Sequence, residues 1–127
     1  MLRILKRGAM AKKILVAEPN DYLSELFIGL FSAFGYETVR TSTDRLELIN
    51  HQRAFEANLL LIDFDMLQKM DIRAVRAQFP ELIVVGSLWH EAIDGFTEIA
   101  KRLGLDGFFS KYAPQEQVLN LIKKLLT

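Results

Sequence analysis

Three short runs of the sequence are apolar at every position, and they constrain the fold more than any other feature. They span residues 14–17 (ILVA), 59–62 (LLLI) and 82–85 (LIVV). A strand with one face in water alternates apolar and polar residues, so uninterrupted runs indicate strands buried on both faces. Weaker runs at residues 37–41 and 107–110 fit the same spacing. The pattern predicts a parallel sheet with helices packed on both faces.

Amphipathic helical patterns lie between these runs. The clearest has apolar residues recurring every three or four positions: Leu23, Leu26, Phe27, Leu30, Phe31 and Phe34. Asn20 or Asp21 is available to cap its N-terminus, and Gly35 follows its end. We therefore expect a helix directly after the first strand.

Four further helices are predicted downstream. Two have less regular patterns: residues 43–51, with Leu46 and Ile49, and residues 66–78, with Met70 and Val75. A stripe ended by Gly104 comprises Ile93, Phe96, Ile99, Ala100 and Leu103, and a helix opened by Pro114 carries Val118, Leu121, Ile122 and Leu125. Strands and helices thus alternate five times. Right-handed crossovers turn that order into a doubly wound α/β fold with five parallel strands and helices on both faces.

The composition narrows the class of protein. The 127 residues suffice for one domain, and half are apolar. Sixteen basic residues balance sixteen acidic ones, so this domain alone has no net charge to draw it to nucleic acid or an anionic membrane. The lack of cysteine excludes disulfides and thiolate metal sites, and no apolar run reaches the length of a membrane span. We expect a cytoplasmic protein with a flexible leader at residues 1–11 and a folded domain at residues 12–127.

Polar residues follow four of the predicted strands. They are Glu18 after the first, Asp63 after the third, Ser87 after the fourth and Lys111 after the fifth. In a doubly wound sheet the working crevice lies beyond the carboxyl ends of the strands. The strand order 2-1-3-4-5 would make the first and third strands neighbours, which brings Glu18 close to Asp63. Two carboxylates at so short a distance need a cation between them, and Lys111 or a divalent metal ion could be that cation.

Several segments resemble the response-regulator receiver domain of two-component signalling. They are ILVAEPND at the first strand, Gly35-Tyr36 after the first helix, LLLIDFDM, VVGS and GFFSK, and they match the order and rough spacing of that family. The resemblance covers residues 12–126. It implies a flavodoxin-like receiver fold and a role in signalling instead of catalysis.

The resemblance also implies a role for each strand-end residue. Asp63 takes the position that accepts a phosphoryl group from a histidine kinase, and Glu18 the position of the first acid of a metal-binding pair. Ser87 corresponds to the switch hydroxyl, Phe108 to the switch aromatic residue and Lys111 to the lysine that ends the fifth strand. A carboxylate can attack phosphorus, while Mg²⁺ and an ammonium offset the charge on the phosphoryl oxygens.

The sequence departs from the family pattern at the metal site. Pro19 stands where receivers carry the second acid, which binds Mg²⁺ directly, so we expect a weak or absent magnesium site. Asp65 is a candidate replacement ligand, because its side chain would point the same way as that of Asp63 if the strand continued. The segment after Asp63 also lacks the Pro and Gly that receivers usually carry there.

Simpler interpretations stand beside these. Asp63 could be a helix cap, Glu18 a charge partner for Lys111, and Ser87 the cap of the next helix. Trp89 is either a lid over the crevice or an exposed anchor for a partner. The two histidines, His51 and His90, show no ligand spacing and are expected at the surface.

Three functions remain open at this point. The first is a degenerate receiver, or pseudo-receiver, that acts through protein contacts with little or no phosphorylation. The second is a working receiver phosphorylated on Asp63, with a histidine kinase or another signalling protein as partner and a homodimer formed through the fourth helix, fifth strand and fifth helix. The third, a small flavodoxin-like enzyme or nucleotide binder, is disfavoured because EPNDYLSE has no glycine for a phosphate loop.

Overall fold

The computed structural model describes residues 11–90 and 94–127. Its elements are β1 Lys13–Ala17, α1 Asp21–Ala33, β2 Glu37–Arg40, α2 Arg45–Phe55, β3 Leu59–Asp63, α3 Phe64–Lys69, α4 Ile72–Gln78, β4 Ile83–Leu88, α5 Thr97–Leu103, β5 Gly107–Ser110 and α6 Gln115–Leu126. A 3₁₀ turn at Asp94–Phe96 precedes α5. Residues 1–10 of the predicted leader lie outside the described residues.

The five strands pair in parallel in the order β2-β1-β3-β4-β5. This confirms the predicted doubly wound sheet with flavodoxin-like order 2-1-3-4-5. All five residues of the central strand β3 are buried, as expected for a strand covered on both faces. The edge strand β2 has largely exposed side chains, which explains its weaker apolar signal.

Side chains of the central strands alternate between two hydrophobic cores. One core, under α1 and α6, contains Ile14, Val16, Leu59, Leu61, Val85 and Phe109. The other, under α2 to α5, contains Leu15, Ala17, Leu60, Ile62 and Val84. Asp63 and Ser87 lie two residues beyond Leu61 and Val85. By the two-residue repeat of a strand, both belong to the face covered by α1 and α6.

The prediction of one helix at residues 66–78 is wrong, because the chain forms two helices there. The first, α3, begins directly after β3, where Asp63 caps it by accepting a hydrogen bond from the Met66 N–H (3.3 Å). Met70 then has extended backbone, and Asp71 caps α4 by accepting from the Arg73 N–H (3.1 Å). The acid that ends the central strand therefore also starts the next helix.

Two apolar residues lie elsewhere than the helical patterns predicted. Leu46 is exposed, because α2 begins at Arg45 and buries Leu48 and Ile49 instead. Phe34 follows the end of α1 and is half-exposed. Ile93, predicted in the stripe of the following helix, lies outside the described residues.

Two glycines of the first βα unit should respond to alanine in opposite directions. Gly29 lies in α1 with nothing within 4 Å of an added Cβ, so Gly29→Ala should stabilise the protein by about 0.5–1 kcal/mol. Gly35 has φ +98°, a region that L-residues rarely adopt, so Gly35→Ala should destabilise it by about 1 kcal/mol or more. Urea unfolding of both variants checks this, and shifts of the same sign would contradict it.

Candidate functional site

The four strand-end residues predicted from the sequence meet at the C-terminal edge of the sheet. Asp63 ends β3 and lies opposite Ser87 of β4 in the strand register. Glu18 directly follows β1, and Lys111 directly follows β5. Because β1, β3, β4 and β5 are successive neighbours in the sheet, their carboxyl ends bring these side chains into one cluster.

The Lys111 ammonium bridges the two carboxylates of this cluster. Its Nζ donates a hydrogen bond to Asp63 Oδ1 at 2.5 Å and lies 2.6 Å from Glu18 Oε1. The contact with Glu18 lacks hydrogen-bond geometry, so it is an ion pair without a formal hydrogen bond. Lys111 and Glu18 side chains are 1% and 2% exposed, and that of Asp63 is 7% exposed. Three charged groups are therefore held together almost without water.

The loop between β1 and α1 fixes the Glu18 side chain. Glu18 Oε2 accepts a hydrogen bond from the Asn20 N–H at 3.0 Å, and Asn20 Oδ1 caps α1 by accepting from the Leu23 N–H at 2.9 Å. Asn20, not Asp21, is thus the N-cap. Pro19 lies between them and contributes no donor of its own.

Arg40, which the sequence reasoning missed, holds the same loop from the neighbouring strand. Its Nη2 donates to the carbonyl oxygens of Glu18 (3.2 Å) and Pro19 (3.4 Å). Its Nη1 lies 2.7 Å from Asp21 Oδ1. The sequence feature that could have revealed it is its place at the end of β2, which neighbours β1 in the predicted strand order.

The two residues expected to act as a switch have different surroundings. Ser87 is 1% exposed, and its hydroxyl has no hydrogen-bond partner in the described part of the chain. Phe108 is partly buried and packs against the core under α2 to α5. Its neighbour Phe109 is buried in the opposite core. Phe108 is therefore neither locked in the core nor free in solvent.

The premise for Asp65 as a strand-end ligand is wrong. The strand does not continue past Asp63; the chain turns into α3, so Asp65 lies in the first turn of a helix. Its side chain is exposed, whereas that of Asp63 is buried. The two carboxylates nevertheless line the same two cavities.

The donor set at this edge fits a magnesium ion poorly. Both oxygens of Asp63 and Glu18 Oε2 already contact N–H groups, and Glu18 Oε1 contacts the Lys111 ammonium. Pro19 offers no side-chain oxygen. Within residues 11–90 and 94–127, no three His, Asp or Glu side chains are grouped to hold a metal ion. Mg²⁺ demands near-octahedral oxygen ligands, and here the lysine ammonium lies between the carboxylates instead.

Two cavities open beside Asp63. The first encloses about 550 Å³ and is lined by Pro19, Thr43, Asp44, Arg45, Asp63, Asp65, Met66, Lys69, Met70 and Asp71. The second, which we call the aromatic cavity, encloses about 270 Å³ and is lined by Asp63, Phe64, Asp65, Gln68, Leu88, Trp89, His90 and Phe96. Asp63 is thus a shared wall of both.

Trp89 and Tyr112 form an exposed aromatic pair at the rim. Their rings meet edge to face with centroids 5.1 Å apart, and both side chains are at least half-exposed. The Lys111 ammonium lies 5.3 Å from the Trp89 ring centroid, within the range of a cation–π contact. Trp89 therefore covers the buried lysine and also faces solvent.

The two histidines and Tyr36 make no contact with the charged groups of the cluster in the described structure. Both histidines are exposed, as predicted: His51 Nδ1 is 2.6 Å from Thr41 Oγ1, and His90 packs against Phe96 at the rim. Burial raises the pKa of Tyr36 above its ordinary value. Tyr36 precedes β2 at the opposite edge of the sheet and has no part in this site.

The chain is similar in sequence and fold to response-regulator receiver domains, which confirms the resemblance expected from the sequence. The chain is 27% identical over 121 residues to the polar-differentiation response regulator DivK of Brucella ovis. That alignment covers 92% of this chain and 98% of DivK. No model of a known protein family matches the chain.

Solved structures give the same fold. NtrX from Brucella abortus, crystallised with ADP, superposes with a TM-score of 0.78 at 26% identity over 92% of this chain. This chain spans 26% of that one. A response regulator from Thermotoga maritima superposes with a TM-score of 0.80 at 15% identity, covering 92% of this chain and 98% of that one. Among the described residues, no helix is both long and apolar enough to cross a membrane.

Removing the bridging ammonium should destabilise the fold strongly. Lys111→Met leaves two buried carboxylates without their cation, and breaking a buried ion pair from one side typically costs about 3–5 kcal/mol. Lys101→Met is the matched control, because Lys101 is exposed and 3.9 Å from an exposed Glu98, and it should change stability by about 0.5 kcal/mol or less. Urea unfolding measures both, and equal effects would contradict a structural role for the bridge.

Proposed function

We propose that this chain is an atypical receiver domain that signals through protein–protein contacts, with weak or absent Mg²⁺-dependent phosphorylation of Asp63. One observation carries the proposal: the Lys111 ammonium already bridges Glu18 and Asp63 in a nearly dry cluster. Pro19 stands at the position where receivers carry the second metal-binding acid. The domain is on this view a signalling module and not an enzyme.

The engaged oxygens of Asp63 disfavour phosphoryl transfer. Attack on phosphorus needs a carboxylate lone pair in line with the leaving group, and a hydrogen bond to each oxygen lowers the nucleophilicity of that carboxylate. Oδ1 is held by Lys111, and Oδ2 caps α3 through the Met66 N–H. The charge that develops on the phosphoryl oxygens also needs positive groups already in place, and the buried ammonium of Lys111 is committed to two carboxylates.

A second candidate function is a working receiver phosphorylated on Asp63 by a histidine kinase. The convergence of Asp63, Ser87 and Lys111 at one edge favours it, and so does the free hydroxyl of Ser87. That hydroxyl could donate to a phosphoryl oxygen without giving up a hydrogen bond made in the described structure. Asp65, in the shared cavities, would then be the remaining source of a metal-binding oxygen.

We propose for this chain the kinds of partner that response regulators have. DivK is a response regulator of polar differentiation, and by analogy we propose a histidine kinase or another signalling protein as partner, in the cytoplasm. The face formed by α5, β5 and α6 corresponds to the fourth helix, fifth strand and fifth helix of the sequence prediction. We propose this face for contacts with partners or with a second copy, with Tyr112 exposed at its edge.

Treatment with an acyl phosphate distinguishes the two candidates. With acetyl phosphate and millimolar Mg²⁺, the intact mass of the protein should stay unchanged, because both oxygens of Asp63 are engaged. Mass spectrometry at intervals after mixing measures this, with Asp63→Asn as the control. A phosphoryl mass increment on most of the parent protein that is missing from Asp63→Asn would overturn the proposal and establish the working receiver.

Restoring an acid at position 19 should create magnesium affinity. Pro19→Asp places a second carboxylate next to Glu18, so Mg²⁺ should bind at least about tenfold more tightly than to the parent. Fluorescence of Trp89, the protein's one tryptophan, reports the titration because its ring lies over Lys111. Gln117→Asp adds the same charge on the exposed surface of α6 and should leave affinity unchanged. Equal Mg²⁺ affinity of Pro19→Asp and the parent would contradict this account of Pro19.

A further inference from the structure

The aromatic cavity beside Asp63 has a composition that suits a positively charged side chain. It combines two carboxylates, Asp63 and Asp65, with the rings of Phe64, Trp89 and Phe96. Aromatic faces attract cations through their quadrupole. The exposed carboxylate of Asp65 can form charge-assisted hydrogen bonds with a cation, and Asp63, whose oxygens are engaged, adds its negative charge. The lining contains no lysine or arginine among the described residues.

The net charge of the cluster also favours a positively charged ligand. Glu18 and Asp63 carry two formal negative charges, and the buried Lys111 ammonium offsets one of them. One negative charge is left over next to the cavity, and the exposed carboxylate of Asp65 adds another. Asp65 forms no hydrogen bond or ion pair in the described structure, so a cation entering the cavity need not displace an existing partner of that carboxylate.

Aromatic rings form one wall of the cavity, and its volume suits a side chain. Phe64 and Phe96 meet edge to face at 5.6 Å, and His90 meets Phe96 at 5.2 Å, so these rings pack as a wall. Trp89 is half-exposed and completes the rim. A volume of about 270 Å³ lies just below the range of about 300–1,000 Å³ that is usual for small-molecule pockets. It suits one inserted side chain.

We infer that the aromatic cavity is a docking site for an arginine or lysine side chain of a partner protein, attracted by the negative charge that the cluster and Asp65 leave beside the rings. The inference rests on the proposed function, since it requires a receiver that signals by contact with an unphosphorylated Asp63. The planar guanidinium of arginine is the better occupant, because it can stack on a ring and donate to a carboxylate at once. A basic segment of the partner thereby recognises the carboxylate edge of the sheet.

The test uses N-acetyl-arginine N-methylamide as probe and its neutral citrulline analogue as control, on the full chain. The arginine probe should perturb the Trp89 indole N–H in NMR spectra in a saturable manner, with a dissociation constant on the order of 1 mM. Citrulline, which has nearly the same shape but no charge, should bind at least about tenfold more weakly, because the charge-assisted hydrogen bond is lost.

Three variants locate the cation. Asp65→Asn, at an exposed position, should weaken arginine binding about tenfold or more. Asp71→Asn changes an acid that lines the other cavity and retains the capability to cap α4, so it should leave affinity unchanged. Glu81→Gln, at the opposite edge of the sheet, should also have no effect.

The outcomes separate this inference from the proposed function. Equal binding of arginine and citrulline, or an effect of Asp71→Asn as large as that of Asp65→Asn, would overturn the aromatic cavity as the site. The same preparation is treated with acetyl phosphate in parallel. Phosphorylation of Asp63 would overturn the proposed function and this inference with it, whereas an unmodified protein without preference for arginine would overturn this inference alone.

Discussion

The buried ammonium of Lys111 organises the C-terminal edge of the sheet. Lys111 contacts carboxylates that lie 93 and 48 residues away along the chain, and it does so with almost no water to screen the charges. Two buried carboxylates at so short a distance would repel each other without a cation between them. The positions of the β1–α1 loop and of the end of β3 therefore both depend on this lysine.

The same interaction ties the fold to the site. Asp63 ends the central strand, caps α3 and accepts from Lys111, so one carboxylate closes a strand, opens a helix and belongs to the charged cluster. Glu18 is held in turn by the Asn20 N–H, and Arg40 clamps the carbonyl groups of that loop. A receiver fold does not by itself imply phosphorylation chemistry, because function depends on the groups at the site and not on the fold.

Much of the fold could be read from the sequence because its signals are local. The uninterrupted apolar runs follow from burial on both faces, and Gly35 and Gly104 mark helix ends because both adopt positive φ. The site residues Glu18, Asp63, Ser87 and Lys111 were also predictable, since parallel strands gather their carboxyl ends at one edge. The prediction failed where the local sequence is compatible with two secondary structures. The segment after Asp63 could continue as a strand or turn into a helix, and the capping bond to Met66 favours the helix.

The sequence by itself determined the order of the elements, the parallel sheet and the four residues that share its edge. Only the tertiary structure decided how the charges pair, because that depends on distances between side chains far apart in the chain. It brought the ammonium of Lys111 between the carboxylates of Glu18 and Asp63, and turned Asp65 onto a helix. It also placed Arg40 on the β1–α1 loop and gathered aromatic rings from α3, the residues after β4 and the 3₁₀ turn around one cavity. Apolar periodicity records which residues avoid water, but it does not record which polar atoms meet.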